Sequence, residues 1–403
     1  VPPERWDIGA SFDPVPGRAG KSYSKWGGFI DDVDKFDPLF FNISPKEASL
    51  IDPQERLFLE TAWETIEDAG YSRESLSGRR VGVYVGVMWG QYQLYGAESV
   101  LRGNASLPTS SHASVANRVS YFFDFHGPSI AVDSMCSSSL TAIHLACEAL
   151  RSGEIEAAIA GGVNVSIHPY KYLTLSQGRF AATDGKCRSF GAGGDGYVPG
   201  EGVGAVLLKP VEHALRDGDQ IYAVVKSSAV NHGGKTNGYS VPNPNAQGDL
   251  IAEALAKGGV DPRTLSYVET HGTGTSLGDP IEIAGLVQAF GGVTEERQFC
   301  PIGSVKSNIG HLESAAGIAA VTKSLLQIRY GQLVPSIHAD PLNPHIDFAN
   351  SPFYVQRELV EWKREGAQPR RIGVSSFGAG GSNAHLILEE YVGVHEARTA
   401  GAA

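Results

Sequence analysis

The chain has 403 residues, 42% hydrophobic and 19% charged, a balance that supports a large buried core and excludes a disordered polymer. Its 49 glycines and 22 prolines sit in short clusters between apolar runs without a G-X-Y period, which excludes collagen-like and low-complexity chains. A formal net charge of −11 without any Lys/Arg-rich run leaves no footprint for nucleic acid or an anionic membrane; no apolar stretch of bilayer length and no signal peptide is present, so a cytoplasmic location is expected.

Strand-length apolar runs alternate with stretches of helical period, the pattern of α/β layers. Strands are expected at 81–87 (VGVYVGV), 129–134 (SIAVDS), 157–166 (AAIAGGVNVS) and 203–210 (VGAVLLKP), with helices at 53–69, 114–123 and 137–152. The second half repeats the scheme: strand 220–230, helix 246–257, strand 265–270, helix 279–290, strand 301–307 and helix 315–330, then strands at 353–357, 371–377 and 384–389. Two α/β halves, 1–215 and 216–391, are the reading from pattern, although this length would also suit two independent domains. Residues 392–403 (VGVHEARTAGAA) are expected to form an alanine-rich linker tail.

Four cysteines, Cys136, Cys147, Cys187 and Cys300, show no C-x-x-C spacing, so neither a disulfide frame nor a metal site is expected. A free thiol is most often an inert core residue. Cys136, however, lies where the strand PSIAVDS runs into the helix SSSLTAIHLACEALRSG; the unpaired N–H groups of a helix start favour a thiolate, and a tight turn crowded with Ser134, Ser137, Ser138 and Ser139 suits a presented nucleophile. His271 opens HGTGTSLGDP after the strand LSYVET, and His311 follows PIGSVKSNIG, with Lys306 five residues before it. Two histidines and an activatable cysteine at strand ends suggest nucleophilic acyl chemistry in one pocket. The glycine-rich loop in GVSSFGAGGSNAH (373–385) fits neither phosphate-binding template; it could bring a backbone N–H to a reacting carbonyl.

VDSMCSSSLTAIH around Cys136, VETHGTGTSLGDPIE around His271, KSNIGH ending at His311 and GVSSFGAGGSNAHLILEE near the end, together with DPQERLFLETAWE and GDGYVPGEGVGAVLLKP, resemble the ketosynthase (β-ketoacyl synthase) domain of modular polyketide synthases along nearly the whole chain. The resemblance implies a thiolase fold: two similar α/β halves in a five-layered αβαβα arrangement, normally a homodimer. It implies Cys136 as the acylated nucleophile, His271 and His311 as the decarboxylation pair and Lys306 as a supporting cation. It further implies Thr273 and Thr275 at the phosphopantetheine arm, and Phe377 as a gate whose N–H joins that of Cys136 in an oxyanion hole. The reaction implied is decarboxylative Claisen condensation of an acyl chain on Cys136 with a malonyl-type extender held by an acyl carrier protein, with neither metal nor cofactor. Carrier proteins upstream and downstream are the implied partners.

Two departures stand out. The chain begins at a PPERWD segment, where the family usually has a strand and helix upstream. Ser134-Met135 also precedes the cysteine in place of Thr-Ala, and SMCSSSL with KYLTLSQGRFAATDGKCRSFG resembles assembly lines served by a separate acyltransferase. A non-elongating ketosynthase that only transfers acyl chains is the alternative; such domains commonly lose the histidine that is present here as His271. Lys171, Arg179, Lys186 and Arg188 are candidate carrier-docking residues, and loop 88–112 is expected to line the acyl tunnel.

Overall fold

A computed structural model of the protein describes residues 1–103, 107–291 and 295–393. Two sheets form its frame. In the first, β1 (Val81–Gly86) is central and pairs in parallel with β2 (Ser129–Val132) and β3 (Ala157–Asn164), while β4 (Gly202–Leu208) runs antiparallel to β3. Every residue of β1 and β3 is buried, as the unbroken VGVYVG and AAIAGGVN runs require of parallel strands covered on both faces.

The second sheet is built from β5 (Ala223–His232), β6 (Tyr267–Glu269), β7 (Cys300–Gly303), β9 (Phe353–Val355), β11 (Arg371–Phe377) and β12 (Ser382–Glu390), in the order β5-β12-β11-β6-β7-β9; β8 (Gln332–Leu333) and β10 (Val360–Glu361) form a small separate pair. Within it, β7, β6 and β11 are mutually parallel and β12 is antiparallel to β11. The run β2-β1-β3-β4 and the run β7-β6-β11-β12 therefore share one pattern of directions. By this correspondence β2, which leads to Cys136, matches β7, which leads to His311.

Two helices, Ser138–Arg151 and Ala316–Tyr330, pack against each other and against both sheets. The helices Pro53–Asp68 and His112–Phe123 cover the outer face of the first sheet, and Pro244–Gly258, packed on Gly278–Phe290, covers the second. The result is five layers, αβαβα. The middle layer is one continuous apolar core joining Leu140, Ile143 and Ala146 to Ile318, Val321, Ile372 and Leu386, so the two sheets share their burial and are not independent domains.

Most elements lie within a few residues of the sequence expectation. The strand expected at 301–307 stops at Gly303, however, and a turn of helix, Lys306–Ile309, follows. The helices Tyr92–Leu101 and Tyr170–Gln177 lack a clear amphipathic stripe and were not expected from periodicity. Of the expected linker tail, residues 394–403 lie outside the described residues, as do 104–106 of the loop expected to line the tunnel. The outer edge of β4 has no strand partner among the described residues. A cavity of about 730 Å³ runs along it, lined from both halves by residues such as Leu150, Val206, Leu208, Val225, Leu325 and Leu388; none of the expected site residues lines it. No described helix is long and apolar enough to cross a membrane.

Candidate active site

Between β2 and the helix Ser138–Arg151 the chain reverses through Met135, held at φ 56°. A non-glycine residue in the left-handed region is costly unless its surroundings hold it there, and the local side chains do so. Asp133 Oδ1 accepts the Met135 N–H at 3.0 Å, Ser138 Oγ accepts the Ser134 N–H at 3.0 Å and donates to the Met135 carbonyl at 2.5 Å, and Ser137 Oγ donates to the Ser134 carbonyl at 2.8 Å. The serines are thus internal braces: Ser137, Ser138 and Ser139 are fully buried. This corrects the expectation that their polarity marks an exposed turn.

Cys136 is itself buried. Burial pushes its thiol up to about 12, with the Glu313 carboxylate adding to the rise and the amide N–H of Ala379 and the Lys306 cation opposing it. The thiolate expected from the helix start is therefore not the resting form, because desolvation outweighs the helix dipole. The amide beside the thiol belongs to Ala379, two residues beyond Phe377. Phe377 ends β11 with its ring centroid 5.7 Å from that of His271, so it takes the ring position near the site while Ala379 supplies the N–H that had been expected from it. The glycine between them is required: a Cβ on Gly378 would lie 2.5 Å from the Ser134 carbonyl oxygen.

His271 is aimed by two buried carboxylates that sequence reading left without a role. Glu282 accepts the N–H groups of His271 at 2.6 Å and of Gly272 at 2.7 Å, and Asp279 accepts those of Phe190 at 2.7 Å and of Gly274 at 3.1 Å. Burial raises both, Asp279 to about 6 and Glu282 to about 7. The signal was present in GDPIE, where two acids three residues apart open the helix that follows the HGTGT loop. Thr273 and Thr275 lie in that loop with their hydroxyl oxygens 3.3 Å apart; Thr275 Oγ1 also accepts the Gly278 N–H at 3.1 Å.

The backbone of His311 is clamped on both sides: its N–H donates to the Val198 carbonyl at 2.7 Å, and its carbonyl accepts from Gly200 N–H at 2.8 Å. Its Nδ1 accepts the N–H of Glu313 at 3.0 Å. A neutral ring that accepts at Nδ1 carries its proton on Nε2, and Nε2 is buried without a partner among the described residues, as are His271 Nδ1 and Lys306 Nζ. The two imidazoles meet edge to face with centroids 5.4 Å apart. Burial, reinforced by the Lys306 charge, holds both well below the usual histidine range; burial also lowers Lys306, although Glu269, Glu282 and Cys136 act on it in the opposite direction. The site therefore combines a neutral thiol, two neutral hydrogen-bond donors and one cation.

Lys171, expected on a docking surface, is completely buried, and Arg188 is paired with Asp184 at 2.6 Å. Arg179 and Lys186 are exposed. Among the described residues no group of acidic, histidine and cysteine side chains is disposed to hold a metal.

Comparison with known proteins agrees along the chain. Residues 1–214 match the family model "Beta-ketoacyl synthase, N-terminal domain", residues 222–340 the corresponding C-terminal domain, and residues 342–401 the "Ketoacyl-synthetase C-terminal extension". Among curated relatives, 97% of the chain aligns with polyketide synthase PksL of Bacillus subtilis at 64% identity and with polyketide synthase ThaG of Burkholderia thailandensis at 61%, covering only 9% and 7% of those proteins. Among solved structures, the oxazolomycin ketosynthase domain OzmH KS7 of Streptomyces albus JA3453 superposes with a TM-score of 0.95 at 62% identity, over 97% of this chain and 68% of that one. The ketosynthase from module 6 of the bacillaene synthase of Bacillus subtilis gives 0.92 at 44%, over 98% and 66%. On its sequence, its five layers and these matches, the chain belongs to the β-ketoacyl synthase family, acyl-transferring enzymes of the ketosynthase type found in polyketide synthases.

Proposed function

We propose that this ketosynthase elongates polyketide chains by decarboxylative condensation, with Cys136 carrying the acyl chain. The observation that supports this most is the pairing of His271 and His311, edge to face with centroids 5.4 Å apart and both kept neutral by burial and by the Lys306 charge, which acts on Cys136 as well. In the loading step the Cys136 sulfur attacks a carrier-bound thioester. The carbonyl oxygen, negative in the tetrahedral intermediate, receives the N–H groups of Cys136 and Ala379. The intermediate collapses with loss of the phosphopantetheine thiolate, which leaves with the proton released by Cys136. In this reading Thr273 and Thr275 bind that arm.

In the second step a malonyl-type thioester loses carbon dioxide, and the electron pair of the broken C–C bond passes to the thioester oxygen as an enolate. Two neutral imidazole N–H donors stabilise that charge without protonating the carbon. The enolate carbon then attacks the acyl-cysteine, and the Cys136 thiolate departs, to be reprotonated. Lys306 offsets the charge that develops in both steps.

The reading includes carrier proteins as upstream and downstream partners, a separate acyltransferase that loads the extender, a cytoplasmic homodimer and a division into halves near residue 215. The alternative, acyl transfer without elongation, has no need of a positioned His271. The test is intact-mass analysis with an acyl surrogate and then a malonyl thioester. Elongation gives a loaded Cys136 that is discharged with release of carbon dioxide and a β-ketoacyl product; loading without discharge would support the transfer module.

A further inference from the structure

Behind His311 lies a buried ionic cluster. Lys171, on the helix Tyr170–Gln177, places its Nζ 2.5 Å from Glu313 Oε2 and donates at 3.0 Å to Asn164 Oδ1, whose amide in turn donates to the Gly200 carbonyl at 2.7 Å. Glu313 also accepts from Trp89 Nε1 at 2.8 Å and from Tyr197 Oη at 2.9 Å. Trp89 lies below the Lys171 ammonium, 5.5 Å from ring centroid to Nζ, and the Tyr197 ring meets His311 edge-on with centroids 4.7 Å apart. Lys171 and Glu313 are both wholly buried. A buried ion pair is poor evidence for stability, since desolving two charges offsets their attraction, so its presence calls for a positional reason.

The backbone supplies one. Glu313 stands at φ 48° at the start of a short 3-10 turn, Glu313–Ala315, and that conformation turns its N–H back onto His311 Nδ1. Three contacts to one carboxylate hold a residue that would otherwise relax out of the left-handed region. We propose that Lys171 and Glu313 are positioning residues for the histidine step: the ion pair, clamped by Trp89 and Tyr197, fixes the Glu313 backbone, which holds His311 in its Nε2–H tautomer and aims that N–H at the enolate oxygen. This rests on the condensing role given to His311 above. The arrangement explains why a lysine in a stretch that reads as a surface loop is wholly buried, and why the carboxylate that disfavours the Cys136 thiolate is kept beside it.

The test compares Lys171→Met, Glu313→Gln and the double variant. Each single change leaves one buried polar partner unmatched, whereas the double variant replaces the ion pair by a neutral pair whose amide can still bond Trp89 and Tyr197. In the single variants kcat for malonyl-thioester decarboxylation should fall at least about tenfold with KM little changed, and the double variant should recover most of the loss. Nitrogen NMR of 15N-histidine-labelled enzyme supplies a readout that needs no turnover. The His311 signals should report a single Nε2–H tautomer in the wild type and the double variant, and tautomer exchange in the single variants. Wild-type decarboxylation in both single variants overturns the proposal. So does a loss that the double variant fails to restore while the His311 signals stay unchanged. Should Lys171→Met fail to fold, Glu313→Gln against the double variant carries the same comparison. An inactive wild type with an intact Nε2–H tautomer would count against the condensing reading and leave the positioning role standing.

Discussion

Cys136 shows how two local rules can oppose each other. A helix start favours the thiolate, but complete burial and the nearby Glu313 carboxylate push the thiol up to about 12, so in the proposed mechanism reactivity rests on the amides of Cys136 and Ala379 stabilising the oxyanion rather than on a standing thiolate. Acyl thioester surrogates should label Cys136, which has the Ala379 amide beside it, and leave Cys147, Cys187 and Cys300 unmodified; burial raises Cys147 and Cys187 to about 11 and pushes Cys300 up as well. Peptide mapping settles this, and Cys136→Ala should abolish labelling while removing only one sulfur from the packing. His271→Ala separates the half-reactions: loading should persist at least in part, and condensation should fall by roughly 100-fold with the loss of an enolate hydrogen bond. Condensation at the wild-type rate would point to the transfer module.

At the scale of elements, the site depends on turns held by close contacts. The loop after β11 passes so near the nucleophile turn that any side chain at Gly378 meets the Ser134 carbonyl. Gly378→Ala should therefore cost about 1–3 kcal/mol and, by shifting the Ala379 amide, slow Cys136 acylation more than it lowers Tm; acylation at the wild-type rate would remove that amide from the mechanism. At the other end of β12, Glu390 accepts from Arg364 at 2.8 and 2.9 Å and from Arg370 at 2.6 Å. Burial alone would raise this carboxyl, but the two guanidiniums and the Arg370 N–H hold it below its ordinary 4.5. A depressed native value stabilises the fold above the unfolded value and loses that contribution as the pH falls through the native one. Glu390→Gln should thus lower Tm at pH 7, with the gap closing at acid pH below about 4. A gap of equal size at both pH values would show that the carboxylate's charge is not what matters.

At the scale of the molecule, the proposed function would have a chain of net charge −11 receive an acidic carrier, and encounter would then need a local basic patch. With Lys171 buried and Arg188 paired, Arg179 and Lys186 remain exposed between the cysteine and the GDGYVPGEG segment. Reversing both to glutamate should raise KM for carrier-bound substrate, weaken its salt dependence and leave small thioester surrogates unaffected. Equal losses on both substrates would assign the two residues to the fold. The shared middle layer predicts in addition that damage to either central helix is felt on both sheets, since Leu140 and Ile318 belong to one core.

The alternation of apolar runs and helical stretches was legible from sequence because strand and helix periods are local properties, and the elements around Cys136 and His271 fell close to their expected limits, whereas the strand before His311 ended four residues early. The motifs singled out Cys136, His271 and His311 because glycine and hydroxyls crowd the strand ends that carry them, although the fold buries Cys136 and His311 and half-buries His271. Burial could not be read locally. Lys171 sits in a polar stretch and looked like surface, yet the fold closes Trp89 and Glu313, from distant segments, and the nearby Asn164 around it. The same holds for the amide at the thiol: whether Phe377 or Ala379 faces Cys136 depends on how a turn after β11 packs against a turn after β2. The sequence by itself determined which residue types stand at the strand ends. Only the tertiary structure decided which of them lose their water, because desolvation depends on the packing of segments far apart in the chain.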